Sequence, residues 1–483
     1  MTKPSMPNEY PSGSFASGVP KPAPLALLDE LQRARLEFET SSDARSDHGR
    51  DWWPLSIADV AVGRVPHWPG VVVKPRSSDE VSQLLRIAST HRIPVTAQGG
   101  RSGVLGGAVA PDGGVALDLT KLDEVISLDE ISGHVRVQAG VFGPELENFL
   151  NARGWTVGHF PQSFDLATVG GWIACRGAGQ LSNRYGKIED IVRSLTIVLA
   201  NGDVIEVGSN APRQAIGPDL LSLFVGSEGT LGVITEATLV ARRRARFEER
   251  AAYGFSSFEE GLEACRRILQ RDASPAVLRL YDETESQRNF GHANCALIVL
   301  DEGEESFVHA TMHIVGEECA GATVLDVSLV ERWMEHRNDV GALAPLWERG
   351  VVVDTIEVSG SWAVLSTMYR SVVETLASVE GMLAASVHQS HAYVDGACLY
   401  FTFAARPEDN ATLLYRRAWD LATHAVLASG GALSHHHGVG RNRARFVAEA
   451  LGPSFAILVA MKSELDPLNI LNPGVLGIGG VPW

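Results

Sequence analysis

Three adjacent histidines, His435-His436-His437, stand between Ser434 and Gly438-Val439-Gly440. Each imidazole brings two nitrogens that need partners once buried, and neighbouring side chains point in different directions. The triplet is therefore a poor packing solution and reads as an active-site loop, the alternative being a solvated histidine-rich turn. Gly430-Gly431 before it and Gly438 and Gly440 after it allow the backbone to bend sharply. A second polar cluster, Asp395-Gly396-Ala397-Cys398-Leu399-Tyr400, interrupts an apolar strand pattern upstream. Arg441-Asn442-Arg443-Ala444-Arg445 follows the histidines and offers guanidinium groups to an anionic substrate.

Three glycine-rich stretches carry the other chemistry. The first runs Gln98-Gly99-Gly100-Arg101-Ser102-Gly103-Val104-Leu105-Gly106-Gly107. Its glycines let consecutive amides point one way and let a diphosphate approach the main chain. No Gly-Lys-Ser/Thr follows, so it is not a Walker loop, and it does not open a helix as a GxGxxG turn does. Alone it is no more specific than a bare turn. Thr168-Val169-Gly170-Gly171-Trp172 and Gly226-Ser227-Glu228-Gly229-Thr230-Leu231-Gly232-Val233-Ile234-Thr235 lie in the same half of the chain. Three such loops fit an extended dinucleotide.

The elements that position these loops follow from pattern. Val71-Val72-Val73 is a short strand, and Ser77 or Ser78 caps a helix with Asp79 and Glu80 at the positive end of its dipole. Residues 93–97 complete a β-α-β unit. Further strands are expected at 115–119, 135–138, 194–199 and 203–207, the last two joined by Asn201-Gly202. Helices are expected at 25–39, 144–153 and 258–270, and a strand at 296–300. The chain divides into a Pro/Ser/Gly-rich disordered tail (1–24), a helical segment (25–66), an α+β cofactor domain (67–245), a cap (246–430) and a terminal histidine-loop segment (431–483).

At 483 residues, 45% hydrophobic and 20% charged, this is a globular chain of several modules. A net charge of -17 argues against nucleic-acid binding. The five cysteines include no CxxC pair and suit reduced thiols in a cytoplasmic protein. No apolar run is read as long enough to span a bilayer, and peripheral membrane contact and a homodimer stay open.

Gly99-Gly100-Arg101-Ser102-Gly103, Ala167-Thr168-Val169-Gly170-Gly171 and Gly226-Ser227-Glu228-Gly229-Thr230-Leu231-Gly232, in that order, resemble the vanillyl-alcohol-oxidase superfamily of flavoproteins with a PCMH-type FAD domain. The resemblance spans about Trp53 to Gly474. It implies an α+β fold: an FAD domain of two subdomains, an α+β cap with an antiparallel sheet, and a C-terminal segment returning to the flavin. It implies FAD, with Gly99, Gly100, Arg101, Ser102, Gly103 and Gly106 at the diphosphate. Thr168, Gly170 and Gly171 would lie near the flavin, and Glu228, Gly232 and Ile234 near the nucleotide. Some relatives link FAD through a histidine in the first loop; Arg101 and Ser102 stand there, so non-covalent FAD is expected.

Within that superfamily, D-2-hydroxyacid dehydrogenases carry H-x-G-D-G-N-L-H and G-E-H-G-I-G, whose residues bind a divalent metal. Here Tyr400 replaces the second strand histidine and a histidine replaces the glutamate, so that metal pattern is broken at two positions and no metal is expected, the alternative being a cation chelated by the histidine triplet. The same departures resemble the alkyl-dihydroxyacetonephosphate synthase family, through Asp395 to Tyr400 and Ser434 to Gly440. By that resemblance Tyr400 transfers a proton with support from His435, His436 and His437. His159, Arg279 and Arg337 line the pocket for a small lipid-phosphate substrate. The implied reaction exchanges the acyl group of acyl-dihydroxyacetone phosphate for a fatty alcohol through an adduct at the flavin N5 nitrogen, with no net redox. The alternative is an FAD-linked oxidoreductase of a D-2-hydroxyacid or related alcohol. Imidazoles, through positive charge or hydrogen bonds, would lower the phenol pKa and balance a departing carboxylate, and the planar guanidinium suits a phosphate.

Overall fold

The computed structural model describes residues 16–17, 21–341, 344–407 and 410–480. The disordered tail expected over 1–24 falls largely outside them, although Ala16–Ser17 pairs in parallel with Arg64–Val65. Val71–Val73, Val115–Asp118 and Val95–Gln98 form a parallel sheet in that spatial order. The all-valine strand is fully buried, as a parallel strand covered on both faces must be. Between strands the chain crosses over as the helix Ser78–His91, capped by Ser77 Oγ accepting from Glu80 N at 3.2 Å. The helix expected at 25–39 is shorter, Leu25–Arg33. Arg35 turns at a φ of 59°, and Phe38–Glu39 pairs antiparallel with the first valine strand. Sheet pairing wins there over helix propensity.

A second, five-stranded antiparallel sheet has the order Val204–Gly208, Val192–Val198, Val233–Val240, His134–Gln138, Val125–Asp129. Its first pair is the expected Asn201-Gly202 hairpin, with Gly202 at a φ of +84°. The helix Gly143–Asn151 flanks this sheet and starts on Pro144, which has no N–H to leave unpaired.

The cap is a seven-stranded antiparallel sheet ordered Thr323–Val324, Phe247–Phe255, Cys295–Gly303, Val277–Tyr281, Met382–Ala392, Gly396–Ala405, Val352–Ser361. Alternation divides its two faces. Leu399, Phe401 and Phe403 are fully buried in one core with Leu365, Met368, Val372, Tyr415 and Trp419 from the helices Trp362–Ala377 and Ala411–Ala428. Cys398, Tyr400 and Thr402 therefore face the other way.

Beyond the second of those helices the chain returns to the cofactor domain. Ala432 N donates to Ser359 O at 2.7 Å, and further on Val95 N donates to Ile470 O at 2.7 Å. The expectation of no span-length apolar run is corrected: among the described residues one helical stretch, Ala444–Leu465, 22 residues long, meets that test by length and composition. Gly452-Pro453 interrupts it in the sequence and hid its continuity. Its last helix, Phe455–Leu465, carries the buried Lys462, whose ammonium donates to Thr230 O (2.9 Å), Leu471 O (2.7 Å) and Asp466 Oδ2 (2.5 Å). Replacing Lys462 with Met strands the buried Asp466 charge, and the expected loss is about 3–5 kcal/mol. Denaturant unfolding measures it, and a change below about 1 kcal/mol would contradict the tether.

Candidate active site

The cap sheet's register assembles the site. Tyr281 pairs with His388, His388 with Tyr400 and Tyr400 with Glu357, so four neighbouring strands place these side chains in one row. Their rings stack in series: Tyr281 on His388 at 5.2 Å and 26°, and His388 on Tyr400 at 4.8 Å and 24°. His436 continues the series beyond Tyr400 at 6.2 Å and 24°. His391 joins the same face because the register shifts between Gln389 and His391, an extra residue that re-aims the strand. There its Nδ1 lies 2.8 Å from Ser182 Oγ, and its ring stacks on His435 at 4.9 Å.

Over this row the histidine loop is held by its backbone. Glu357 accepts hydrogen bonds from Ser434 Oγ (2.8 Å) and from the amides of His435 (2.5 Å), His436 (3.1 Å) and His437 (2.8 Å). Arg443 Nη1 donates to the same carboxylate at 2.7 Å and Nη2 to Glu357 O at 2.7 Å, both side chains being fully buried. The next amides, of Val439 and Gly440, donate to Glu228 of the third glycine loop at 2.6 and 2.8 Å. Glu357 was not singled out in the sequence; a carboxylate amid the apolar run of a strand was the one available signal. Arg443 and Arg445, expected to offer guanidiniums to an anionic substrate, are instead paired with Glu357 and Asp420. His388, His391 and Tyr393 were missed as well, since only long-range pairing brings them to the triplet.

The electrostatics correct the expected lowering of the phenol pKa and favour hydrogen bonds over charge for the imidazoles. Burial pushes His435 and His436 down to about 3 and His437 to about 4, against the pull of Glu357. The triplet is therefore neutral at working pH and acts through hydrogen bonds rather than positive charge. Burial, then Glu357 and Asp354, hold the Tyr400 phenol above its ordinary value, against the Thr355 hydroxyl. Tyr400 thus keeps its proton, with Thr355 Oγ1 at 3.1 Å and His437 Nε2 at 3.3 Å. Burial alone would also raise Glu357, but the Arg443 guanidinium holds it well below the usual carboxylate range.

Arg279 and Arg337 converge on one indole, their guanidinium carbons 5.4 and 5.8 Å from the Trp333 ring. Arg279 donates to Tyr281 Oη (3.1 Å) and His388 Nε2 (2.9 Å), and Arg337 to Gln180 Oε1 (3.1 Å). Among the described residues neither forms an ion pair with a carboxylate. His159 is fully buried against Trp172 at 4.8 Å, with no hydrogen-bond partner among the described residues at either ring nitrogen. Burial pushes it down to about 3.

The glycine loops pack on one another. A side chain at Gly99 or Gly100 would strike Thr168 Oγ1 or Leu166 O, and one at Gly106 would strike Trp53. Gly170 and Gly232 pack on Ala139 and Ile197, and Ile234 lies in the core of the five-stranded sheet. Gly103, by contrast, faces open space, and Gly171 meets only Thr168 Oγ1. Arg101 turns at a φ of 55° and pairs with Asp47 at 2.7 Å, and Trp52 N donates to Gly103 O at 2.9 Å, so residues 47–52 brace Ser102 and its neighbours. Around these loops Gln98 Oε1, Trp172 Nε1, Ser227 Oγ, Arg441 Nη2 and Asn442 Oδ1 are buried without protein partners. Open glycines beside orphaned polar atoms fit a long polar cofactor.

Glu357, Cys398, His435 and His436 place potential metal-ligand atoms within 4.8 Å of one another. The Glu357 carboxylate is already saturated by five donors, and burial pushes the Cys398 thiol up. The cluster works as a hydrogen-bonded anchor.

Glu228 makes the clasp testable. Burial raises it from 4.5 to about 7, against the amides of Val439 and Gly440. Folding therefore favours its protonated form; that stability is complete below pH 4.5 and disappears as pH rises to about 7, about 3 kcal/mol in all. The stability of E228Q minus that of wild type should rise across this window and then level off. A pH-independent difference in denaturant unfolding would refute the assignment.

Residues 69–208 match the FAD binding domain family, and residues 244–476 match the C-terminal domain of FAD linked oxidases. An uncharacterized FAD-linked oxidoreductase of Escherichia coli, YgcU, is 31% identical over 84% of this chain and 89% of its own length. The alkyldihydroxyacetonephosphate synthase of Caenorhabditis elegans is 29% identical over 94% of this chain and 84% of its own. A solved alkyldihydroxyacetonephosphate synthase superposes with a TM-score of 0.79 at 26% identity, covering 94% of this chain and 86% of the other. With its glycine cradle and its capped antiparallel sheet, the chain belongs to the FAD-linked oxidase family and is an FAD-dependent enzyme.

Proposed function

We propose that the enzyme exchanges the acyl group of acyl-dihydroxyacetone phosphate for a fatty alcohol. The observation that carries this reading is the contiguous path from Arg279 through His388 to Tyr400, joining a carboxylate-free guanidinium to a protonated phenol. Arg279 and Arg337, beside Trp333, bind the substrate phosphate. FAD, when bound, supplies the nucleophilic centre that the exchange needs, and Gly103, Gly171 and the unpartnered atoms around them would hold it without a covalent link.

Tyr400 moves the proton. Its O–H protonates the departing carboxylate as the ester C–O bond breaks, and it recovers a proton from the incoming alcohol as the ether bond forms. His437 and Thr355 orient the hydroxyl through both transfers. The sum is ester plus alcohol giving ether plus acid, with no electron gained or lost. Similarity to alkyldihydroxyacetonephosphate synthases supports this branch.

FAD-loaded protein should release fatty acid from acyl-dihydroxyacetone phosphate in the presence of hexadecanol, with no electron acceptor. Tyr400→Phe should lower kcat by about 100-fold or more, and Arg279→Met should act mainly on KM. No exchange at any chain length would sink the proposal. The relation to an FAD-linked oxidoreductase favours a second reading, oxidation of a D-2-hydroxyacid or related alcohol. Anaerobic bleaching of the flavin by such a substrate identifies that activity.

The non-covalent cofactor has its own test. Acid precipitation should leave all the yellow colour in the supernatant; flavin retained in the pellet would contradict it.

A further inference from the structure

A hydrogen-bonded file leaves the histidine loop on the side away from Tyr400. Tyr393, just past the strand Met382–Ala392, holds its hydroxyl 2.6 Å from His435 Nε2. His435 Nδ1 in turn lies 2.9 Å from His436 Nδ1. With Nδ1 committed to His435, Nε2 is the His436 nitrogen available to a reacting atom, and its ring is stacked towards Tyr400.

Two facing imidazole nitrogens at this distance share one proton, which sets the tautomers in series. When His435 Nδ1 donates, its bare Nε2 accepts the Tyr393 hydroxyl and His436 presents an N–H to the site. When His436 Nδ1 donates, His435 Nε2–H turns to the Tyr393 oxygen and His436 presents a bare nitrogen. Either arrangement satisfies every member, and both imidazoles stay neutral. Burial reinforces this by pushing both pKa values down to about 3, so no imidazolium is stored.

The far end of the file approaches the surface. Tyr393 is half-buried, its neighbours Val394 and Asp395 are exposed, and Lys187 Nζ lies 4.9 Å from the Tyr393 ring centre. Acyl exchange, the reading on which this inference rests, converts a neutral alcohol and an ester into an ether and a fatty acid. The acid that Tyr400 has protonated ionises at neutral pH, and the proton it gives up before leaving is the one that a buried site must export.

We propose that Tyr393, His435 and His436 form a proton relay from the exchange site to solvent, with Tyr393 as its outer positioning residue. A proton taken at His436 Nε2 sends the His436 Nδ1 proton to His435 Nδ1. The His435 Nε2 proton then passes to the Tyr393 oxygen, and the Tyr393 hydroxyl proton passes to water. No electron moves and no charge remains inside.

Y393F keeps the ring and removes the outer link. In FAD-loaded protein it should lower kcat about 100-fold, leave KM for acyl-dihydroxyacetone phosphate within about twofold and enlarge the D2O effect on kcat. H435Q cuts the next link, and the double variant should lose no more than the worse single one. Independently of turnover, side-chain 15N spectra of the flavin-loaded protein should show a shifted His435 Nε2 resonance in Y393F. Additive losses, or an unchanged His435 resonance together with unchanged kcat, would overturn the relay. A wild-type enzyme without exchange would defeat the functional reading instead, and the imidazole spectra alone would then decide the relay.

Discussion

Five backbone amides of one short loop point at two buried carboxylates, and the geometry of the site depends on that capture. Residues 435–437 donate to Glu357 of the cap, and Val439 and Gly440 donate to Glu228 of the FAD domain. A glycine-flanked loop with no secondary structure would otherwise bury these donors unpaired, at about 1–3 kcal/mol each. Arg443 completes the arrangement by neutralising Glu357 in full burial. Because the two carboxylates belong to different domains, the loop joins the flavin cradle and the substrate face as one mechanical unit.

The sheet below supplies the precision that a loop lacks. Tyr281, His388, Tyr400 and Glu357 face one another across paired strands, and Leu399, Phe401 and Phe403 lock the opposite face into the helical core. A slip of one residue would send Tyr400 into that core and Phe401 to the opposite face, so core packing fixes the register of the candidate site. Of the two register shifts in this strand pair, the one after Gln389 delivers His391 to the side where His435 stacks.

Much of this was legible in the residues. The three glycine loops, the antiparallel cap and the returning C-terminal segment followed from pattern and resemblance, and the structure brings them together. The loops also show what glycine counting cannot distinguish: Gly103 faces open space, whereas Gly99, Gly100, Gly170 and Gly232 are small because another segment touches them. Glu357, His388 and Lys462 were not legible, and Arg443 was read only as a substrate-facing cation, since each owes its role to partners far away in sequence. Whether the triplet would act by charge or by hydrogen bonds stayed open for a related reason. Three histidines in a row look cationic, but desolvation outweighs one nearby carboxylate already paired with arginine.

That outcome decides what kind of proton chemistry the site supports. Its uncompensated positive charge lies at Arg279 and Arg337, flanking Trp333, while Glu357 is balanced by Arg443 and the rings between are neutral. The phenol is hard to ionise, since burial, Glu357 and Asp354 all hold its proton in place. A mechanism that begins with a tyrosinate base works against this field, whereas one that begins with a tyrosine O–H donated to a leaving group works with it. Under the proposed exchange the phenolate left by that donation would be short-lived, because the same burial favours recovery of a proton from the next hydroxyl to enter.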